Sequence, residues 1–152
     1  MGGWPRSPAS SISRRRGECH GTHHAFSFLR RVLLLDAASC LGMGLLLAVA
    51  AGPLAGWFHL PAALLRESGI VLLAFAGLLL WMATRAAVPR WLVWAVILGN
   101  ALWALDSLLL LPSGWVAPNV LGGAFITAQA LVVGVLATLE HAGLRRSAPV
   151  AA

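Results

Sequence analysis

The chain has no lysine and no tyrosine, only two cysteines, and charged side chains make up just 11% of its 152 residues. Each scarcity excludes something. With so few charges beside 59% hydrophobic residues, the chain cannot present the polar surface of an ordinary soluble domain. The two cysteines, Cys19 and Cys40, form no CxxC pair, which excludes the four-helix quinone-linked disulfide oxidases. There is no HExxH and no GxSxG, and the two histidines outside the N-terminal segment, His59 and His141, fall at opposite interfaces. Ser107 beside Asp106 is no dyad, because adjacent helix residues point about 100° apart. No enzyme is expected.

What is present is apolar sequence in long runs. Mean hydropathy is +0.83, and four stretches, about 32–51, 66–87, 91–111 and 120–139, reach the roughly 20 residues that a helix needs to cross a bilayer. In hydrocarbon the backbone must satisfy its own polar groups. The expected fold is therefore an all-α membrane protein, with four transmembrane helices in an up-down-up-down bundle over residues 29–146. The third span, WLVWAVILGNALWALDSLLLL, carries both Asn100 and Asp106. A mid-membrane Asp costs about 2.5 to 3.5 kcal/mol on insertion scales, so partners for it are expected elsewhere in the chain.

The ends differ from the middle. Residues 1–28, rich in Arg, Ser and His, lack apolar periodicity and read as a disordered tail, a native start near Phe26 being the alternative; 147–152 read as a second tail. Cys19, His20, His23 and His24 are weak metal-ligand candidates. A tetrahedral site wants two separated pairs on a folded frame, and no second pair exists, so neither a metal nor a cofactor is expected.

The net charge of +6 does not indicate nucleic acid, because the arginines punctuate apolar spans instead of clustering on a soluble face. Ten of the eleven lie in the N-terminal segment, the second loop and the C-terminal segment, with only Arg66 in the first loop. The positive-inside rule then puts both termini in the cytoplasm, and Trp57 and Trp115 outside opposite Trp81 and Trp91 inside fit an aromatic belt. The exclusive use of arginine fits a GC-rich bacterial genome. A multi-pass protein of the bacterial inner membrane follows, with the lipid bilayer as its partner.

Helical spacing assigns faces. Asp36, Ser39, Cys40, Met43 and Leu47 share one side of the first span; Gly99, Asn100, Trp103, Asp106 and Ser107 share an arc of the third, opposite Trp91, Trp94, Leu98, Leu105 and Leu109. In the fourth, Gly122, Ile126, Gln129, Val133 and Leu136 form a packing seam. The second span has no polar group between Ser68 and Thr84 and reads as a lipid-facing wall. At 1.5 Å per residue, Asp36 lies about 6 Å from the inner interface, Asn100 about 13 Å, Gln129 about 16 Å and Asp106 about 22 Å. Asn100 is thus expected to bond Gln129, while Ser68 and Thr127 are candidates for Asp106, and Asp36 is too far from it. The loops GWFHLP and GWVAP also hint at a duplicated two-helix unit.

The pattern RRxLLLD in the first span, GNALWALDSLLLL in the third and QAL ahead of LEHAGLRR in the fourth resembles small uncharacterised four-helix proteins of the bacterial inner membrane. That resemblance covers about residues 29–146 and implies location without activity. The small multidrug exporters are similar in size and carry a carboxylate in their first span; here that residue is Asp36, not Glu, and the arginine bias opposes a dual-topology dimer. The expected function is structural or accessory. The alternative is a small proton- or cation-coupled transporter acting as a homodimer, with Asp106 or Asp36 titrating and Asn100, Trp103, Ser107 and Gln129 completing the intramembrane polar site.

Overall fold

The structure is a computed structural model that describes residues 9–85 and 88–146, with side chains described from Phe28 onward. It is all-helical among those residues: α1 (Ala9–Val49), α2 (Ala51–Phe58), α3 (Ala62–Thr84), α4 (Arg90–Leu110) and α5 (Val120–Arg146). Four helical stretches are long and apolar enough to cross a membrane: Phe28–Val49, Ala62–Thr84, Arg90–Leu110 and Val120–Arg146. The bounds differ from those expected at the ends that matter most, since the first span begins four residues earlier and the fourth continues past 139.

Proline and arginine set these limits. Pro53 has no N–H to offer the carbonyl of Val49 and its ring clashes there, so α1 stops at Val49 and the chain restarts as α2 with Pro53 in its first turn. A loop was expected over this stretch; the missing signal is that a proline forbids continuation of a helix without forbidding a new one. The α2 helix ends at His59, whose φ of 54° is left-handed, and Leu60 N–H returns to Ala55 O at 3.2 Å. Pro61 and Pro89 stand immediately before α3 and α4, and Leu65 and Leu92 donate to their carbonyls. Upstream of Phe28, where the composition predicts no regular structure, α1 continues back to Ala9. Extending a helix fixes one residue per added bond, so a long apolar helix propagates into flanking sequence without a new nucleus. The side chains of Cys19, His20, His23 and His24 lie outside the described residues, as do residues 147–152.

Two pairs of helices carry most of the packing, α1 with α3 and α4 with α5. At the crossing of α1 and α3, Gly44 meets Gly69: a Cβ on Gly69 would lie 2.6 Å from the Ala48 nitrogen and 2.8 Å from the Gly44 oxygen. Only glycine admits such backbone contact, which is how apolar helices gain dispersion energy in a solvent as apolar as themselves. The α3 helix, expected as a lipid-facing wall, has one packed face and one open apolar face. Leu65, Leu72, Ala76, Leu79 and Met82 are buried, while Ile70, Val71, Leu80 and Trp81 are exposed.

Contacts also define the two ends of the bundle. Leu29 packs on Gly143, and Arg146 sits over the ring of Phe28 at 5.1 Å. Leu29, Arg30 and Leu33 share a small cleft with Met82 and Arg85, so arginines from three segments gather at this end. At the other end Asn119 joins the loops: its backbone N–H donates to Phe58 O at 3.2 Å and its side-chain amide to Trp57 O at 2.8 Å, while its Oδ1 accepts from Gly122 N–H at 2.8 Å. The last bond is an N-cap for α5. Phe58 and Phe125 stack beside it with centroids 4.7 Å apart.

Candidate functional site

The buried polar residues of the described chain are three, Asp36, Asn100 and Glu140, and they meet. Each extends an apolar stripe. On α4, Val93, Val96, Ile97 and Asn100 are buried at helical spacing, and on α5 the stripe is Val133, Leu136, Ala137, Glu140 and Leu144; on α1, Asp36 sits among Leu33, Ala37 and Cys40. Three helices therefore direct a polar group at one point in an apolar core.

At that point the side-chain nitrogen of Asn100 donates to Asp36 Oδ2 at 2.8 Å and to Glu140 Oε2 at 3.2 Å. An amide nitrogen has two protons, and both are used. The Cys40 thiol donates to Asp36 Oδ1 at 3.5 Å. Asp36 and Glu140 are 0% exposed, and Glu140 Oε1 is buried with no hydrogen-bond partner. The close approach of α5 to α1 here depends on Gly143, where a Cβ would lie 3.1 Å from Leu29 Cδ1. Trp94 and His141 add an edge-on aromatic contact between α4 and α5, with centroids 5.4 Å apart.

This arrangement corrects the expected pairing. Asn100 does not bond Gln129; its amide belongs to Asp36 and Glu140. The error was one of depth. Counted from Phe28, Asp36 lies about 12 Å into its helix, close to the depth of Asn100, and Glu140 lies about 9 Å in from Arg146. The expected fourth span, 120–139, stops one residue short of Glu140. The seam through Gly122, Ile126, Gln129, Val133 and Leu136 would have found it, since the next position on that face is 140.

The remaining expected residues form a second grouping. Ser68 on α3, Trp103, Asp106 and Ser107 on α4, and Gln129 on α5 line a cavity of about 140 Å³ whose other walls include Leu47, Leu65, Phe125 and Ile126. Asp106 is itself exposed and also borders an open depression with Gly99, Leu102 and Leu109. Its predicted inward orientation thus becomes a position at the cavity rim. Ser68 shares the cavity with it, as expected, whereas the Thr127 hydroxyl is turned to Gly123 O at 2.8 Å. The indole nitrogen of Trp103 is buried and has no partner. A further groove of about 190 Å³, mostly apolar, lies along Ser39, Cys40, Met43, Phe125, Gln129 and Val133. Among the described residues no three His, Cys, Asp or Glu side chains are placed to hold a metal ion.

No family model, curated protein or solved structure matches the chain. Its two polar groupings are the ground on which function can be argued.

Proposed function

We propose that this multi-pass membrane protein binds a proton at its Asp36–Asn100–Glu140 cluster and uses it to couple a proton to the state of the bundle. The observation that carries the reading is the pair of carboxyl groups, both fully buried, on a single amide nitrogen. Ionised carboxylates in hydrocarbon are costly, and two of them beside each other repel, so one shared proton is the arrangement that such pairs adopt. Merely holding the helices together would need only one acceptor for the Asn100 amide. The second carboxyl, with an oxygen that no protein group satisfies, suits a site that takes up and releases a proton. Proton-coupled movement of a small solute by a homo-oligomer is the use we propose for it.

The same reading places the spans in alternating directions, with the arginine end in the cytoplasm of a bacterial cell and Trp57 and Trp115 outside, supported by the arginine distribution. Infrared spectroscopy of the protein in bilayers tests the proton. A protonated-carboxyl carbonyl band that disappears in the double variant Asp36→Asn, Glu140→Gln is expected; a spectrum with no such band, or one unmoved by both substitutions, refutes the proposal. Proton flux into liposomes then asks whether the double variant silences coupled movement.

A structural reading also has an observation in its favour. Among the described residues α4 brings its backbone close to α5 alone, so the Asn100 bond to Asp36 is a principal tie between α4 and α1. The double variant separates the two readings, because its amides still accept from Asn100. Unchanged stability with lost flux fits proton coupling; flux that persists in the double variant leaves only the structural role.

A further inference from the structure

The cavity around Asp106 has a composition of its own, and it needs neither Asp36 nor Glu140. Its one charged side chain is a carboxylate, no cationic side chain lines it, and Ser68, Ser107 and Gln129 supply further oxygens. Trp103 and Phe125 give it aromatic walls, and leucines form most of the rest. At about 140 Å³ it is close to the roughly 150 Å³ cavities that hold one benzene-sized guest. It exists because α3 and α4 do not pack closely on one another, leaving a cleft between them that α5 closes from behind.

Each class of occupant can be weighed against those walls. An anion would meet Asp106 with no counter-charge. A calcium-like ion wants about six to eight oxygen ligands, and the leucine walls cannot replace its hydration shell. A neutral apolar guest would leave the Asp106 carboxylate and the buried Trp103 N–H without partners, at the desolvation cost of both. A small organic ammonium ion satisfies the set. Its charge faces Asp106, aromatic faces attract it, its alkyl groups fill the leucine-lined part, and an oxygen substituent would give the Trp103 N–H an acceptor.

We propose that the cavity between α3, α4 and α5 binds a small organic ammonium ion of about five to seven non-hydrogen atoms, a size set by the cavity volume, with Asp106 as its counter-charge. The ammonium can be that of a free solute or of an aminolipid headgroup, since both present the same chemistry to Asp106.

The test uses the full chain in nanodiscs of phosphatidylglycerol, a lipid with no amine, titrated calorimetrically with tetramethylammonium and with tert-butanol, its neutral counterpart of like shape. Saturable binding of the cation and none of the alcohol is expected. Asp106→Asn should weaken the cation at least about tenfold, equivalent to about 1.4 kcal/mol, with helical content unchanged by circular dichroism, while Asp106→Glu should restore it. Absence of saturable binding to the folded wild type, equal affinity in Asp106→Asn, or equal binding of the alcohol overturns the proposal. Repeating the titration with phosphatidylethanolamine in the nanodisc separates the two sources: competition identifies the headgroup, and an unchanged isotherm identifies a free solute.

Discussion

The side-chain nitrogen of Asn100 and Oδ2 of Asp36 lie 2.8 Å apart across 64 positions of sequence, and the same nitrogen reaches Glu140 on a third helix. One amide thus holds three helices in register at a single depth. Replacing it by an apolar residue leaves two buried carboxyl groups without their donor. Asn100→Val should lower stability by about 1 to 3 kcal/mol, the upper part of that range exceeding the usual intramembrane hydrogen bond because two acceptors are orphaned at once. Unfolding in mixed micelles measures it, and a loss no larger than that of an exposed position such as Ala101→Val would show that the amide is dispensable.

The crossing of α1 and α3 gives a sharper contrast between two glycines. Even a methyl group on Gly69 would lie 2.6 Å from a backbone nitrogen, whereas one on Gly77 meets nothing within 4 Å. Gly69→Ala should therefore cost about 1 to 3 kcal/mol by forcing the backbones apart. Gly77→Ala should be neutral or stabilising by up to about 1 kcal/mol, as expected where alanine replaces glycine in a helix. Equal effects in the same unfolding assay would mean that the crossing tolerates separation.

Asn119 makes two separable kinds of bond, one as acceptor to Gly122 N–H and one as donor to Trp57 O. Asn119→Ala loses both and should cost about 1 to 2 kcal/mol. Asn119→Asp keeps the acceptor alone and should recover part of that loss. Thermal unfolding of the three proteins ranks them, and an Asp variant no better than the Ala variant would assign the whole effect to the Trp57 tie.

Sidedness can be read from single cysteines introduced after Cys19→Ser and Cys40→Ala. Ser113→Cys, in the loop before α5, should react with an impermeant maleimide from outside intact cells, and Arg90→Cys only after the membrane is opened. The reverse pattern would invert the proposed orientation.

The number of spans was legible because a run of about 20 apolar residues has few other meanings, and the faces of α1, α4 and α5 were legible because burial follows the 3.6-residue repeat. Leu34, Leu41 and Leu45 are exposed and Leu47 is buried as that repeat requires, although Ser39, placed on the same side as Leu47, is exposed. The polar partnerships were not. They depend on relative depth, and depth counted from the edge of an apolar run is shifted whenever the helix extends beyond that run, as the first span does back to Phe28 and the fourth does through Glu140. Asp106 failed differently. Its arc was correct, but the sequence carries no sign that α3 stands apart from α4, and that gap turns an inward-facing residue into one at a rim. Asn119 was not singled out, although an Asn just before an apolar helix is an N-cap signal; its bonds to Trp57 and Phe58 depend on the two loops being neighbours in space.

Asn119 also acts beyond its own helix. Two of its three bonds, to Phe58 O and Trp57 O, tie the segment between α1 and α3 to the start of α5, so a change in spacing between the α1–α3 pair and the α4–α5 pair is resisted at that end. The Asn100 bond to Asp36 resists the same change nearer the arginine end, so the two helix pairs are tied at two depths by amide side chains.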